Sequence, residues 1–155
     1  MLLTPHILAG VAIISVVPNP IFGFILVLSS HYFLDFFPQK EYSIRNIQGK
    51  RWKKSVRDFS MVFSDIALGF FIVFIISGFN LLVFAAACLA IFPDSLTLLY
   101  LLLPKNKILA GHHKIHAAIN AFSENKNLPA FWGVASQVIV AILAISLLLQ
   151  RQTLL

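Results

Sequence analysis

Ser30-His31-Tyr32-Phe33-Leu34-Asp35-Phe36-Phe37-Pro38-Gln39 closes a long apolar run and stops at a proline. It carries an imidazole and a carboxylate four residues apart. On an α-helix that spacing puts both side chains on one face, one turn apart. Ionisable groups at lipid depth are costly, so they mark either a site or a polar tie between helices. What else lies at the same depth decides between the two.

The surrounding chain is apolar. Of 155 residues, 59% are hydrophobic and 12% charged, and the mean hydropathy is +0.87. Soluble domains carry about a quarter charged residues. The composition therefore excludes an ordinary soluble enzyme and indicates an all-α, polytopic membrane bundle, with residues 1–155 as a single integral-membrane domain. The one cysteine, Cys88, has no internal disulfide partner and reads as a small apolar packing residue. Met1 to His6 lacks a basic n-region, and no small-residue cleavage site follows. The first apolar segment is thus expected to be retained.

A span needs about 20 mostly apolar residues. Five segments approach this, at about 4–17, 21–37, 59–77, 81–103 and 129–149. Thr4 is positioned to cap the first and Pro5 to open it. Pro18-Asn19-Pro20 and Gly78-Phe79-Asn80 are turns, and Pro93 is expected to bend the fourth segment. Polar loops fill about 39–58 and 104–127. Within the second, a short interfacial helix is expected over about 114–122, with Ile115, Ala118, Ile119 and Phe122 on its apolar face.

Charge sets the orientation. The first loop holds Lys40, Arg45, Lys50, Arg51, Lys53, Lys54 and Arg57 against Glu41 and Asp58, which is most of the formal net charge of +6. The second adds Lys105, Lys107, Lys114 and Lys126 against Glu124. Both loops and the N-terminus then lie in the cytoplasm and the C-terminus outside, in a plasma membrane of bacterial inner-membrane type. The basic stretch Lys40–Arg57 suits anionic lipid headgroups. Topology accounts for the charge, so no nucleic-acid partner is inferred.

On this layout every histidine and every acidic residue within the spans falls in one leaflet. His6 begins span one, and His31 with Asp35 ends span two. Asp65 lies early in span three and Asp94 in the inner half of span four. His112, His113 and His116 follow in the second loop. Imidazole with carboxylate is a ligand set for a divalent metal, zinc first, with manganese or iron as alternatives. No H-E-x-x-H or paired C-x-x-C is present, so shared depth carries the inference.

At these residues the chain resembles a family of small bacterial membrane-bound proteins described as metal-dependent hydrolases. The resemblance lies in Thr4-Pro5-His6-x-x-x-Gly10, Ser30-His31-x-x-x-Asp35-x-x-Pro38, Pro93-Asp94 and His113-x-x-His116. Relatives carry Pro-His-Trp-Asp-Tyr where this chain has Pro38-Gln39-Lys40-Glu41-Tyr42. Gln39 is a poor substitute for a ligating imidazole, whereas Glu41 preserves a carboxylate.

The sequence thus leads to a membrane-embedded metal-dependent hydrolase acting at the cytoplasmic leaflet on a lipid or lipid-linked ester or phosphoester. His6, His31, Asp35, Asp94, His113 and His116 are the candidate metal ligands. Asp35 or Asp94 is the candidate catalytic base, and Asp65, His112, Gln39 and Glu41 are candidates for supporting the ligands. The alternative is a non-enzymatic protein, either a small transporter or a structural or assembly subunit, whose polar residues pack helices. A transporter needs polar groups at the bilayer midplane, and the outer halves of the spans are apolar.

Overall fold

The computed structural model describes residues 2–40, 42–123 and 130–153. Their regular structure is helical: α1 (Leu3–Val16), α2 (Pro20–Asp35), α3 (Arg45–Gln48), a 3-10 turn (Trp52–Lys54), α4 (Val56–Ser77), α5 (Leu81–Ala90), α6 (Phe92–Leu102), α7 (Lys107–Ser123) and α8 (Ala130–Thr153). α4 and α8 are long and apolar enough to cross a membrane. The α5–α6 pair, bent by 50°, makes a third crossing if it is one span. The expected spans one and two are helices of 14 and 16 residues, below the length of a straight crossing.

α1 lies at the centre. Its sequence is apolar all round, the pattern of a helix enclosed by others, and it packs against α2, α4, α5 and α8. Ile7, Leu8, Val11 and Ala12 form the core with Val73, Ala87, Ala144 and Leu148. Gly10 allows the closest approach, since a Cβ there would meet that of Ala90 at 2.7 Å. By contrast, α4 and α8 turn large apolar side chains outward, with Phe63 72% and Leu143 60% exposed. Aliphatic and aromatic surface of this extent on long helices suits contact with lipid.

Local chemistry explains the helix ends. Asn19 caps α2 by accepting from the Phe22 amide, and Pro20 follows at the first helical position. Gly78 takes φ 62° to close α4, and Asn80 caps α5 through the amides of Leu82 and Val83. Pro93 in the first turn of α6 enforces the break from α5, as its sequence predicts.

Other expectations are corrected. Thr4 does not cap α1 but lies in its first turn. Asp65 on α4 caps it instead, accepting from Leu3 N at 2.6 Å, Thr4 N at 3.1 Å and Thr4 Oγ1 at 2.7 Å. A carboxylate can satisfy several of the amides left open at a helix start. The first polar loop is partly ordered because Asp58 accepts from Asn46 N, Asn46 Nδ2 and Ile47 N. The expected short interfacial helix is α7, longer by two turns at its start, where Asn106 accepts from Ile108 N and Leu109 N. Ile115 is 62% exposed, and α7 turns His116 inward instead. Cys88 lies exposed on α5 rather than packed.

Candidate metal centre

Four of the six candidate ligands converge. His31, Asp35, Asp94 and His116 each offer one ligand atom, and these atoms lie within 4.8 Å of one another. His31 Nε2, His116 Nε2 and Asp35 Oδ2 form a near-equilateral triangle with sides of 3.0, 3.1 and 3.2 Å. Asp94 Oδ1 stands further off, 3.5 Å from His116 Nε2 and 3.9 Å from His31 Nε2. Ligands of a tetrahedral zinc lie about 3.3–3.6 Å apart, given bonds near 2.0–2.2 Å. The observed spacings bracket that range, so the set could hold a divalent ion.

The helix break builds much of this site. The last carbonyls of a helix have no partner within it, and ending α5 at Ala90 leaves that carbonyl to accept from His31 Nδ1 at 2.7 Å. A carbonyl only accepts, so Nδ1 of His31 carries a proton and Nε2 of the neutral ring presents its lone pair to the cluster. Beyond the break, the first turn of α6 delivers Asp94, and Thr97, on the same face one turn later, lies 3.4 Å from His116 Nδ1. Backbone or hydroxyl partners of this kind fix the ring orientation of ligating histidines.

His6 stands behind the four. Its Nε2 lies 3.2 Å from Asp35 Oδ1 and therefore donates to it, leaving Oδ2 toward His31 and His116. The His6 ring stacks on that of His31 at 4.3 Å. His6, His31 and Asp35 are almost entirely buried, whereas the Asp94 side chain is 31% exposed. Asp94 and His116 form one wall of a cavity of about 440 Å³ between α3, α4, α6 and α7. Phe59, Ile66, Ile91, Leu98 and Leu101 line its apolar part, and Gln48, Ser95, Thr97 and Asn120 are among its polar lining.

The remaining candidates stand apart. His113 lines the cavity and stacks on Tyr100 at 4.5 Å, outside the ligand cluster. His112 Nε2 is 3.1 Å from the Tyr32 hydroxyl. Burial, then the nearby His116 and His31 rings, hold His112 below the usual imidazole range. Asp65 caps α1 rather than supporting the cluster. Gln39 sits where its backbone meets α8 at Gly133, and Glu41 lies outside the described residues. Ala90, Thr97, Tyr32 and Tyr100 were not singled out from sequence. Pro93 signalled the first, because a proline within a span releases carbonyls of the preceding turn.

No family model, curated protein or solved structure matches the chain. The functional reading therefore stands on geometry.

Proposed function

We propose that the chain is a membrane-embedded, metal-dependent hydrolase working at the cytoplasmic leaflet on a lipid or lipid-linked ester or phosphoester. The observation that carries this is the buried His31–Asp35–His116 triangle, flanked by Asp94, which reaches a largely apolar cavity through His116 and Asp94. Three close ligands with a looser fourth group is the pattern of a catalytic zinc, which keeps one position open. Manganese and iron accept the same donors. Bound there, a divalent ion would supply a Lewis acid.

The chain's own residues supply the rest. His31 and His116 are held in register by Ala90 and Thr97, and Asp35 by His6. Asp94, the partly exposed carboxylate, is the group placed to take the proton of the attacking water. The apolar walls receive the alkyl part of the substrate and thin the water around the bond to be cut. In this reading α1 and α2 complete a five-pass bundle, and α7 lies at the interface. The cations of 40–57 and 105–126 hold that end in the cytoplasm, against anionic headgroups.

The test loads purified protein with zinc, manganese or iron in turn and supplies carboxylester and phosphoester lipids in vesicles. Release of fatty acid or phosphorylated headgroup by wild type, lost in Asp94→Asn, supports the reading. Metal-loaded protein that cleaves neither class removes it.

A further inference from the structure

A second concavity, of about 700 Å³, runs along α8 between α1 and α2. Ala9, Ile13, Phe33, Phe37, Val140 and Leu143 are among its walls, and it shares no residue with the ligand cluster. Its serines present no free hydroxyl inward: Ser30 Oγ donates to Val27 O at 2.7 Å and Ser136 Oγ to Pro38 O at 2.6 Å. The groove is open to the surroundings, since Phe33 is 64% and Leu143 60% exposed. Along α8 it extends from Ser136 to Leu147, about 16 Å at the helical rise. That is half of a hydrocarbon core of about 30 Å, the depth of one leaflet.

One end of this groove is fixed to the cationic part of the chain. Gln137 Nε2 donates to Lys40 O at 2.8 Å, next to the Ser136 bond to Pro38. A Cβ on Gly133 would come within 2.9 Å of the Gln39 carbonyl carbon, so α8 and the strap following α2 are in backbone contact. Three α8 residues thus pin Pro38–Lys40 across the groove's end. Lys40 is exposed there and opens the stretch of seven cations that closes at Arg57.

We propose that this groove binds one acyl chain of an anionic phospholipid whose headgroup meets Lys40. Length, apolar lining and charge at one end match that ligand together. A second copy seated here in the same membrane would set its own Lys40–Arg57 stretch beside this one, like charge against like. The site requires that the chain reside in a bilayer but not that it hydrolyse anything.

The probes are phosphatidylglycerol and phosphatidylcholine of equal chain length, titrated onto the full chain in detergent and read as bound fraction by native mass spectrometry. Wild type is expected to hold phosphatidylglycerol about fivefold more tightly, the value of one lysine near an anionic surface. Lys40→Gln brings the two lipids to parity without weakening phosphatidylcholine. Ala9→Phe fills the groove and lowers binding of both by about tenfold or more. Val140→Phe, from the α8 wall, does the same and guards against misfolding of either variant, with helical content checked by circular dichroism. Ala9→Phe lowers binding of both lipids by the same factor in the His31→Ala/Asp35→Ala background, which separates this groove from the metal centre. Equal affinity of wild type for the two lipids, or binding that neither filling variant reduces, overturns the proposal. So does a wild-type dimer that either filling variant converts to monomer, because a second copy would then be the occupant.

Discussion

Nε2 of His31 and Nε2 of His116 face each other at 3.1 Å, with Oδ2 of Asp35 at 3.2 Å from the first and 3.0 Å from the second. A neutral His31 cannot relieve this contact, because its one proton sits on Nδ1 and is donated to Ala90 O. Two arrangements satisfy these lone pairs: a proton on His116 Nε2 given to Asp35 Oδ2, or a divalent ion held by all three atoms. The two differ in what the protein carries when purified.

His6→Ala is expected to weaken metal binding by about 10–100-fold, the usual effect of removing the group that orients a ligand. Saturating metal restores the wild-type stoichiometry, because His31, Asp35 and His116 remain. Competition with a chelator of known affinity measures this. An unchanged affinity would make His6 a packing residue only.

Asp94→Asn is expected to keep near-stoichiometric metal, since Asp94 Oδ1 is the most distant member of the set. Turnover should fall by about 10²–10⁴, the range for losing a general base. Metal content and lipid cleavage are read on the same preparation. Complete loss of metal would make Asp94 a ligand rather than the base.

Gly10→Val places side-chain atoms where the Ala90 Cβ lies 2.7 Å from an added Cβ. The end of α5 must shift, and the Ala90 carbonyl moves from His31 with it. A loss of about 1–3 kcal/mol in stability is expected from overpacking, with weaker metal binding alongside. Equilibrium unfolding in detergent gives the first and chelator competition the second. Weaker stability with unaltered metal affinity would show that the α5 end does not position His31.

Asp65→Ala should cost about 1–2 kcal/mol through loss of the α1 cap and leave metal affinity alone. This separates Asp65 from the centre with which it was grouped by depth. If metal affinity falls as far as in His6→Ala, then the α1 terminus, with His6 one turn along it, is set by Asp65 more tightly than the hydrogen bonds imply.

Much of the centre was legible because its carriers obey short-range rules. The i,i+4 spacing of His31 and Asp35 placed them together on α2, and Pro93 marked the break that presents Asp94. His116 was named as a ligand candidate, but its inward orientation was not legible. Sequence put the apolar face of α7 on Ile115, which is exposed, because periodicity within one helix does not say which stripe meets a neighbour. The role of Asp65 was missed for a related reason. Its partners Leu3 and Thr4 are more than sixty residues away, and a cap supplied by another helix leaves no local signature. The α1 and α2 segments read as spans on hydropathy, yet α1 is apolar all round because four helices enclose it.

The most direct measurement is metal content by elemental mass spectrometry, on detergent-purified protein without a histidine tag, beside a folded His31→Ala/Asp35→Ala variant. About one divalent ion per chain is expected in wild type, and its loss in the variant. Wild type without bound metal, even after reconstitution with zinc, manganese or iron, would contradict that expectation. The cluster would then be a buried charged tie between α1, α2, α6 and α7.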